Sequence, residues 1–175
     1  MKPPRLTFSP KAPTLYLNLD GALNEGALEY GPRGLVRVEG GARLFTHAPS
    51  FVRLLRPFPE VQVVITLAWV QMLSGAKIDS LLPSELVRRI VMCASIVSRA
   101  ESQRIGGTSN PRSIIRHAEE NHVETWLALQ SGAFDVPVRY QDHFLTTSDR
   151  FGVTAAGVQA CLLDWMGKVC QKAQP

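Results

Sequence analysis

The sequence predicts an α/β fold, a Rossmann-like three-layer sandwich with a mostly parallel sheet. Short apolar runs rich in β-branched residues recur along the chain, and segments with helical spacing separate them. The chain has 175 residues, 45% of them apolar, which suffices for one sizeable core. The prolines near the start favour an extended backbone. We therefore expect an extended N-terminal arm at residues 1–13 and a single domain at residues 14–170.

The first half of the chain alternates between strands and helices. Leu15–Leu19 is a short apolar run followed by Asp-Gly, which is typical of a buried strand. Residues 21–41 are rich in glycine and irregular, with one possible strand at 35–38. A helix opens near His47 and is ended by the prolines at 57 and 59. The clearest strand is predicted at 61–66 because it is built of β-branched residues.

The second half of the chain continues the alternation. The patterns predict helices at 70–77, 83–89, 112 to about 121, and 154 to about 169. They predict strands at 90–97, 125–129 and 143–147, and a loop at 106–111. In a parallel sheet, functional groups gather just beyond the carboxyl ends of the strands. The strand ends of interest are therefore residues 18–20, 66–69 and 130–131.

Fragments at these strand ends, and between them, occur in a recognisable order. In chain order they read Asn-Leu-Asp-Gly-Ala-Leu (18–23), Phe-Thr-His-Ala-Pro (45–49), Pro-Phe-Pro-Glu-Val (57–61), Ile-Thr-Leu-Ala-Trp (65–69), Leu-Pro-Ser-Glu-Leu (82–86) and Trp-Leu-Ala-Leu-Gln-Ser (126–131). This series resembles the haloacid dehalogenase-like (HAD) hydrolase superfamily. The resemblance is closest to the small bacterial branch formed by the HAD domain of Swiss Army Knife RNA repair proteins and its stand-alone relatives. It implies a HAD-like fold with a minimal cap.

The resemblance also implies a role for each matching position. Active members use a first Asp as nucleophile, a second Asp as general acid/base, and late acidic residues to hold Mg²⁺. By this match Asn18 occupies the nucleophile position and Asp20 the acid/base position. Thr66 occupies the phosphate-holding position, and the cation that balances the phosphate charge is Arg112, with Lys77 as the second choice. The late metal-binding positions hold the neutral Gln130 and Ser131.

The loss of acidic groups around one cleft predicts a changed function. An amide is a poor nucleophile and a weaker Mg²⁺ ligand than a carboxylate. We therefore expect a catalytically degenerate pseudo-phosphatase, with no cofactor, that acts by binding a protein partner or an anionic ligand in a regulatory role. The alternative is an active Mg²⁺-dependent phosphohydrolase with replacement ligands, for which Asp135 and Asp142 are candidates. Asp20-Gly21 read alone could also be a simple turn, and Thr66 a simple strand residue.

A basic segment supplies a further alternative, a nucleic-acid-binding module. Its cations are Arg88, Arg89, Arg99, Arg104, Arg112 and Arg116, with Glu101 as the one acidic residue from 88 to 116. Such a patch can bind RNA, DNA or an acidic protein, but a solvated basic face is the simpler interpretation. The arginines are not interleaved with aromatic residues, so no nucleic-acid motif accompanies them.

The remaining sequence features concern the compartment. The net charge is +4, which favours weak association with anions. The three cysteines show no zinc-ligand spacing and are typical of reduced thiols. No apolar run is long enough for a signal peptide or a membrane span. We expect a cytoplasmic protein without a membrane partner.

Overall fold

A computed structural model describes residues 4–25, 28–30, 36–65, 75–93, 111–131, 136–148 and 150–172. The strands are β1 (Thr14–Leu17), β2 (Leu28–Tyr30), β3 (Val36–Val38), β4 (Gln62–Ile65), β5 (Ile90–Cys93), β6 (Trp126–Ser131) and β7 (Phe144–Thr147). The α-helices are α1 (Leu19–Leu23), α2 (Ala48–Leu55), α3 (Gly75–Leu81), α4 (Ser84–Arg89), α5 (Pro111–Glu120) and α6 (Ala156–Lys172). Short 3-10 turns lie at Glu39–Gly41, Val138–His143 and Gly152–Thr154.

The main sheet confirms the predicted α/β fold. Within the described part of the chain its strand order is β5-β4-β1-β6-β7, and every neighbouring pair is parallel. The central strand β1 pairs Leu17 with Ile65 of β4 on one side and with Leu129 of β6 on the other. The ends of β1, β4 and β6 therefore lie side by side at one edge of the sheet, which we call the carboxyl edge. β2 and β3 form a separate antiparallel hairpin.

Both faces of the main sheet are covered, which makes three layers. Along β1, Leu15 and Leu17 belong to the apolar cluster that includes α2 and α6 residues. Tyr16 points to the other face and packs in a cluster with Ile114 and Ala118 of α5. This alternation follows from the two-residue period of a strand, and burial on both faces explains why β1 is largely apolar. All four of its residues are fully buried.

The structure differs from the sequence prediction mainly after β1. The strand ends at Leu17, and Asp20-Gly21 lies inside the short helix α1 instead of forming a turn. The side chain of Asn24 helps to end this helix because its Nδ2 donates to Leu19 O at 3.1 Å. The hairpin strand β2 and the 3-10 turn at Val138–His143 were not predicted, and α3 continues to Leu81. Predictions for residues 66–74 and 94–110 fall outside the described residues.

The N-terminal arm crosses the amino edge of the sheet, where the parallel strands begin. Leu6 N donates to Arg88 O at 2.8 Å, and Glu124 N donates to Pro10 O at 3.0 Å. Between these points Ser9 and Gln62 exchange two hydrogen bonds, of 3.1 and 2.7 Å. The arm thus joins the end of α4 to the starts of β4 and β6. The boundary between arm and domain at residue 13 remains a prediction.

Candidate functional site

The carboxyl edge is organised around the end of β1. Asn18 follows the last residue of this strand, and its backbone N–H donates to Leu129 O of β6 at 3.1 Å. The side chain of Asn18 is buried, with 3% of its surface exposed. Asp20 lies two residues further along the chain, in the first turn of α1, and its side chain is not among those that the structure describes. The nucleophile position of the resemblance is therefore a buried amide at a strand end.

The helix that follows packs unusually close to the end of β6. A Cβ atom added at Gly21 would overlap the side chain of Ser131 and lie 2.8 Å from Ser131 Cα. Only glycine permits this approach, because any other side chain would push α1 away from β6. The close contact between α1 and β6 thus requires glycine at position 21. The Asp-Gly sequence at 20–21 therefore permits this contact and does not form a simple turn.

A fourth strand end contributes to the same edge. Thr147, the last residue of β7, donates its hydroxyl to Gly21 O at 2.5 Å and is 3% exposed. Sequence analysis predicted the strand but assigned no role to Thr147. The rule that drew attention to the other strand ends applies equally to β7, and it would have found this residue. Thr147 and Ser131 together hold α1 from two strands.

The loop after β7 is also tied to α1. Gly152 has a φ of +46°, and a Cβ there would overlap Ala22 O of α1 and approach His47 Cδ2 to 3.2 Å. His47 is buried, and its Nε2 lies 3.4 Å from Arg150 O. The backbone from 150 to 152 is therefore packed between α1 and the start of α2. This loop was not singled out from the sequence.

The side chains at this edge determine what chemistry the site can perform. Gln130, next to the β1 end, is a buried amide with 3% exposure, and Ser131 is half-buried. Asn18, Gln130 and Ser131 offer neutral oxygens, whereas Mg²⁺ is normally held by carboxylates. Within the described residues no cluster of three or more His, Cys, Asp or Glu side chains is placed to hold a metal. Of the residues that the resemblance assigns to the metal, the described ones therefore offer only neutral oxygens.

The other residues singled out from the sequence are dispersed. Arg112 is exposed at the second position of α5, whose first turn faces the carboxyl edge because β6 starts at the opposite edge. Lys77 is exposed on α3. Asp142 lies two residues before the start of β7, so the structure places it at the amino edge and does not bring it to the site. Thr66, Leu67, Ala68, Trp69, Arg99, Arg104 and Asp135 lie outside the described residues.

The described arginines of the basic segment do not share one environment. Arg88 and Arg116 are exposed, on α4 and α5 respectively. Arg89 is half-buried and donates to three backbone carbonyls, Leu55 O at 2.9 Å, Phe58 O at 2.6 Å and Val61 O at 3.1 Å. These carbonyls belong to the end of α2 and the turn before β4. Burial lowers the pKa of the Arg89 guanidinium from its ordinary value, yet its contacts are those of a structural cation.

A cavity of about 250 Å³ lies at the amino edge and not at the candidate site. Its apolar wall includes Leu6, Val52 and Leu55, and its rim carries Arg56 and Glu85, which form an ion pair at 3.3 Å. The described part of the carboxyl edge is instead closely packed, as the Gly21 contact illustrates. The candidate site therefore lies at the strand ends, away from this cavity.

One further buried polar pair was missed in the sequence. Tyr16 is fully buried, and its hydroxyl lies 2.9 Å from His117 Nδ1 on α5. Burial raises the pKa of Tyr16 and lowers the pKa of His117, because both charged forms lose water. The pair sits in the middle of β1, away from the strand end, so it supports packing of α5 and not the site.

Comparisons with known proteins agree with this geometry. The profile of one protein family, described as the HAD domain in Swiss Army Knife RNA repair proteins, matches residues 14–158. No curated protein and no solved structure matches the chain. Among the described residues, no helix is both long enough and apolar enough to cross a bilayer. The matched range covers all strands of the main sheet and the site segments at their carboxyl ends. The chain therefore belongs to the family of HAD domains found in Swiss Army Knife RNA repair proteins.

Proposed function

We propose that this protein is a catalytically degenerate HAD-like domain that binds a phosphate-type anion at the carboxyl edge and acts in a regulatory role. The observation that supports the proposal is the buried Asn18 at the end of β1, where active relatives need a carboxylate nucleophile. An amide cannot attack phosphorus to form a stable acyl phosphate as a carboxylate does. The first chemical step of the family therefore has no nucleophile in this chain.

The same substitution favours anion binding. A carboxylate and a phosphate repel each other, by roughly 4 kcal/mol at 4 Å near a protein surface, and the amides at Asn18 and Gln130 remove that repulsion. Amide groups can also donate hydrogen bonds to phosphate oxygens. Arg112 at the carboxyl-edge end of α5 supplies an exposed cation for the same ligand.

The decisive experiment measures turnover and binding on the same preparations. We expect no Mg²⁺-dependent hydrolysis of p-nitrophenyl phosphate by the unaltered chain, and measurable binding of inorganic phosphate by calorimetry. Asn18→Asp and Gln130→Glu should each weaken phosphate binding by at least about tenfold without Mg²⁺, because each restores a charge repulsion. Gln141→Glu is the matched control. Gln141 is exposed near the start of β7, and its substitution changes the net charge by the same amount as Gln130→Glu.

Two outcomes would contradict the proposal. Mg²⁺-dependent turnover by the unaltered chain that disappears in Asp20→Ala would establish the phosphohydrolase alternative. Phosphate binding that is equally affected by Gln141→Glu and Gln130→Glu would show that only net charge matters, and that the carboxyl edge is not the binding site.

A further inference from the structure

The loop that follows β7 presents an aromatic ring to solvent close to the candidate site. Phe151 has 51% of its surface exposed, more than any other large apolar side chain of the described residues except Val138. The next residue, Gly152, packs directly against Ala22 of α1, and α1 begins immediately after Asn18. The backbone of Gly152, the residue after Phe151, therefore lies at the carboxyl edge, beside a residue about one helical turn along α1 from the end of β1.

The backbone that carries this ring is fixed. Phe151 N–H donates to Ser148 Oγ at 3.2 Å, and Phe151 C=O accepts from Thr154 N at 2.8 Å and from Thr154 Oγ1 at 2.6 Å. Gly152 N also donates to Ser148 O at 2.8 Å. Hydrogen bonds thus fix the backbone on both sides of Phe151. This residue would therefore lose little backbone freedom when a ligand binds its ring. Such preorganisation is what an effective contact residue needs.

A cation accompanies the ring. The Arg150 guanidinium lies over the Phe151 ring, with its central carbon 5.3 Å from the ring centre, and the Arg150 side chain is exposed. The pair offers a flat apolar surface together with a positive charge. A ligand that combines a planar aromatic group with a negative charge matches both parts.

We propose that Phe151, with Arg150 beside it, is a specificity-determining platform that stacks on the aromatic group of a phosphate monoester whose phosphate lies at the carboxyl edge. The proposal rests on the proposed function, because that site holds the phosphate. The aromatic group can be a nucleobase or a phenolic ring, which share a planar π-face. Because such a group stacks favourably on an aromatic side chain, the expected preference over an ester without a ring is roughly tenfold.

The test compares four ligands of stated chemistry by calorimetry: inorganic phosphate, methyl phosphate, O-phosphotyrosine and adenosine 5′-monophosphate. The last two should bind about tenfold more tightly than methyl phosphate. The difference in affinity between O-phosphotyrosine and adenosine 5′-monophosphate shows whether the platform prefers a phenolic ring or a nucleobase. Phe151→Ala should abolish the preference and leave phosphate binding unchanged, whereas Phe151→Trp should retain it. Leu163→Ala is the matched control, since Leu163 is 41% exposed on α6.

Failure of this inference is distinguishable from failure of the proposed function. If inorganic and methyl phosphate bind but the aromatic esters bind no better, the platform is disproved and the anion site stands. The same holds if the aromatic preference survives Phe151→Ala or is lost equally in Leu163→Ala. If none of the four ligands binds, both proposals are wrong.

Discussion

The two edges of the main sheet are held together by different kinds of contact. At the amino edge, Arg89 serves three carbonyls, and Gln62 exchanges hydrogen bonds with Ser9 and also donates to Thr14 Oγ1 at 2.8 Å. Arg89 stabilises the turn before β4, and Gln62 binds the N-terminal arm. At the carboxyl edge, close backbone packing through Gly21 and the hydrogen bond from Thr147 to Gly21 O hold α1 in place. The amino edge thus relies on side-chain hydrogen bonds to the backbone, and the carboxyl edge relies on the close packing of a short helix.

The largest effect should come from the carboxyl edge, at Gly21. Gly21→Ala places a Cβ where the Ser131 side chain lies, and we expect it to lower the free energy of unfolding by about 3 kcal/mol. Urea denaturation measures this. The control is Gly167→Ala within α6, where an added Cβ meets no atom within 4 Å and should stabilise by up to about 1 kcal/mol. Equal effects at the two glycines would refute the close-packing argument.

The next effect should come from the amino edge, at Arg89. Arg89→Ala leaves the carbonyls of Leu55, Phe58 and Val61 without this donor, and we expect a loss of about 2 kcal/mol of stability. Arg88→Ala, at an exposed neighbour, should change stability by less than about 0.5 kcal/mol. If the two variants unfold at the same denaturant concentration, Arg89 is a surface cation like its neighbour.

A smaller effect should separate two neighbouring threonines of β7. Thr147→Val keeps the side-chain shape but removes the hydroxyl that donates to Gly21 O, and we expect a loss of about 1 kcal/mol. Thr146→Val, on the exposed neighbour, should be close to neutral. A neutral result for Thr147→Val in thermal denaturation would mean that this bond does not hold α1 in place.

The smallest effect concerns pH and lies between the two edges, at His117. Its pKa in the folded protein is lowered by burial beside Tyr16, while the charge of Glu120 opposes this shift. The unfolded chain then binds a proton more readily, so this contribution to stability is full above about pH 6.5 and falls as the pH drops below it. His117→Gln should flatten the pH dependence of urea midpoints in this range, and an unchanged pH dependence would contradict this role of His117.

The sequence was sufficient for the parts of the fold that depend on local pattern. β1 and β6 are short and largely apolar runs, and their ends located Asn18 and Gln130 at one edge. Helix α1 could not be predicted, because Asp-Gly favours a turn and glycine disfavours a helix. That helix is held by Asn24 and by a contact with Ser131, which lies far along the chain. Long-range contacts of this kind leave no local pattern.

The absence of a local pattern for long-range contacts also explains why three residues received no individual role from the sequence. Thr147 contacts Gly21 across 126 positions of sequence, and nothing beside Thr147 indicates the partner. Arg89 was grouped with its charged neighbours, because charge is visible in a sequence whereas the carbonyls it serves are not. Phe151 lacks any motif, and only the closed turn around it shows that its exposure is maintained by structure.

The N-terminal arm has a consequence for the order of folding. Its contacts join Leu6 to Arg88, Ser9 to Gln62 and Pro10 to Glu124, so each one closes a long loop of chain. Loop closure of this length is entropically costly unless the partners are already positioned. The arm can therefore dock only after β4, α4 and β6 have assembled. Mutations that weaken its contacts should accelerate unfolding while leaving the folding rate nearly unchanged.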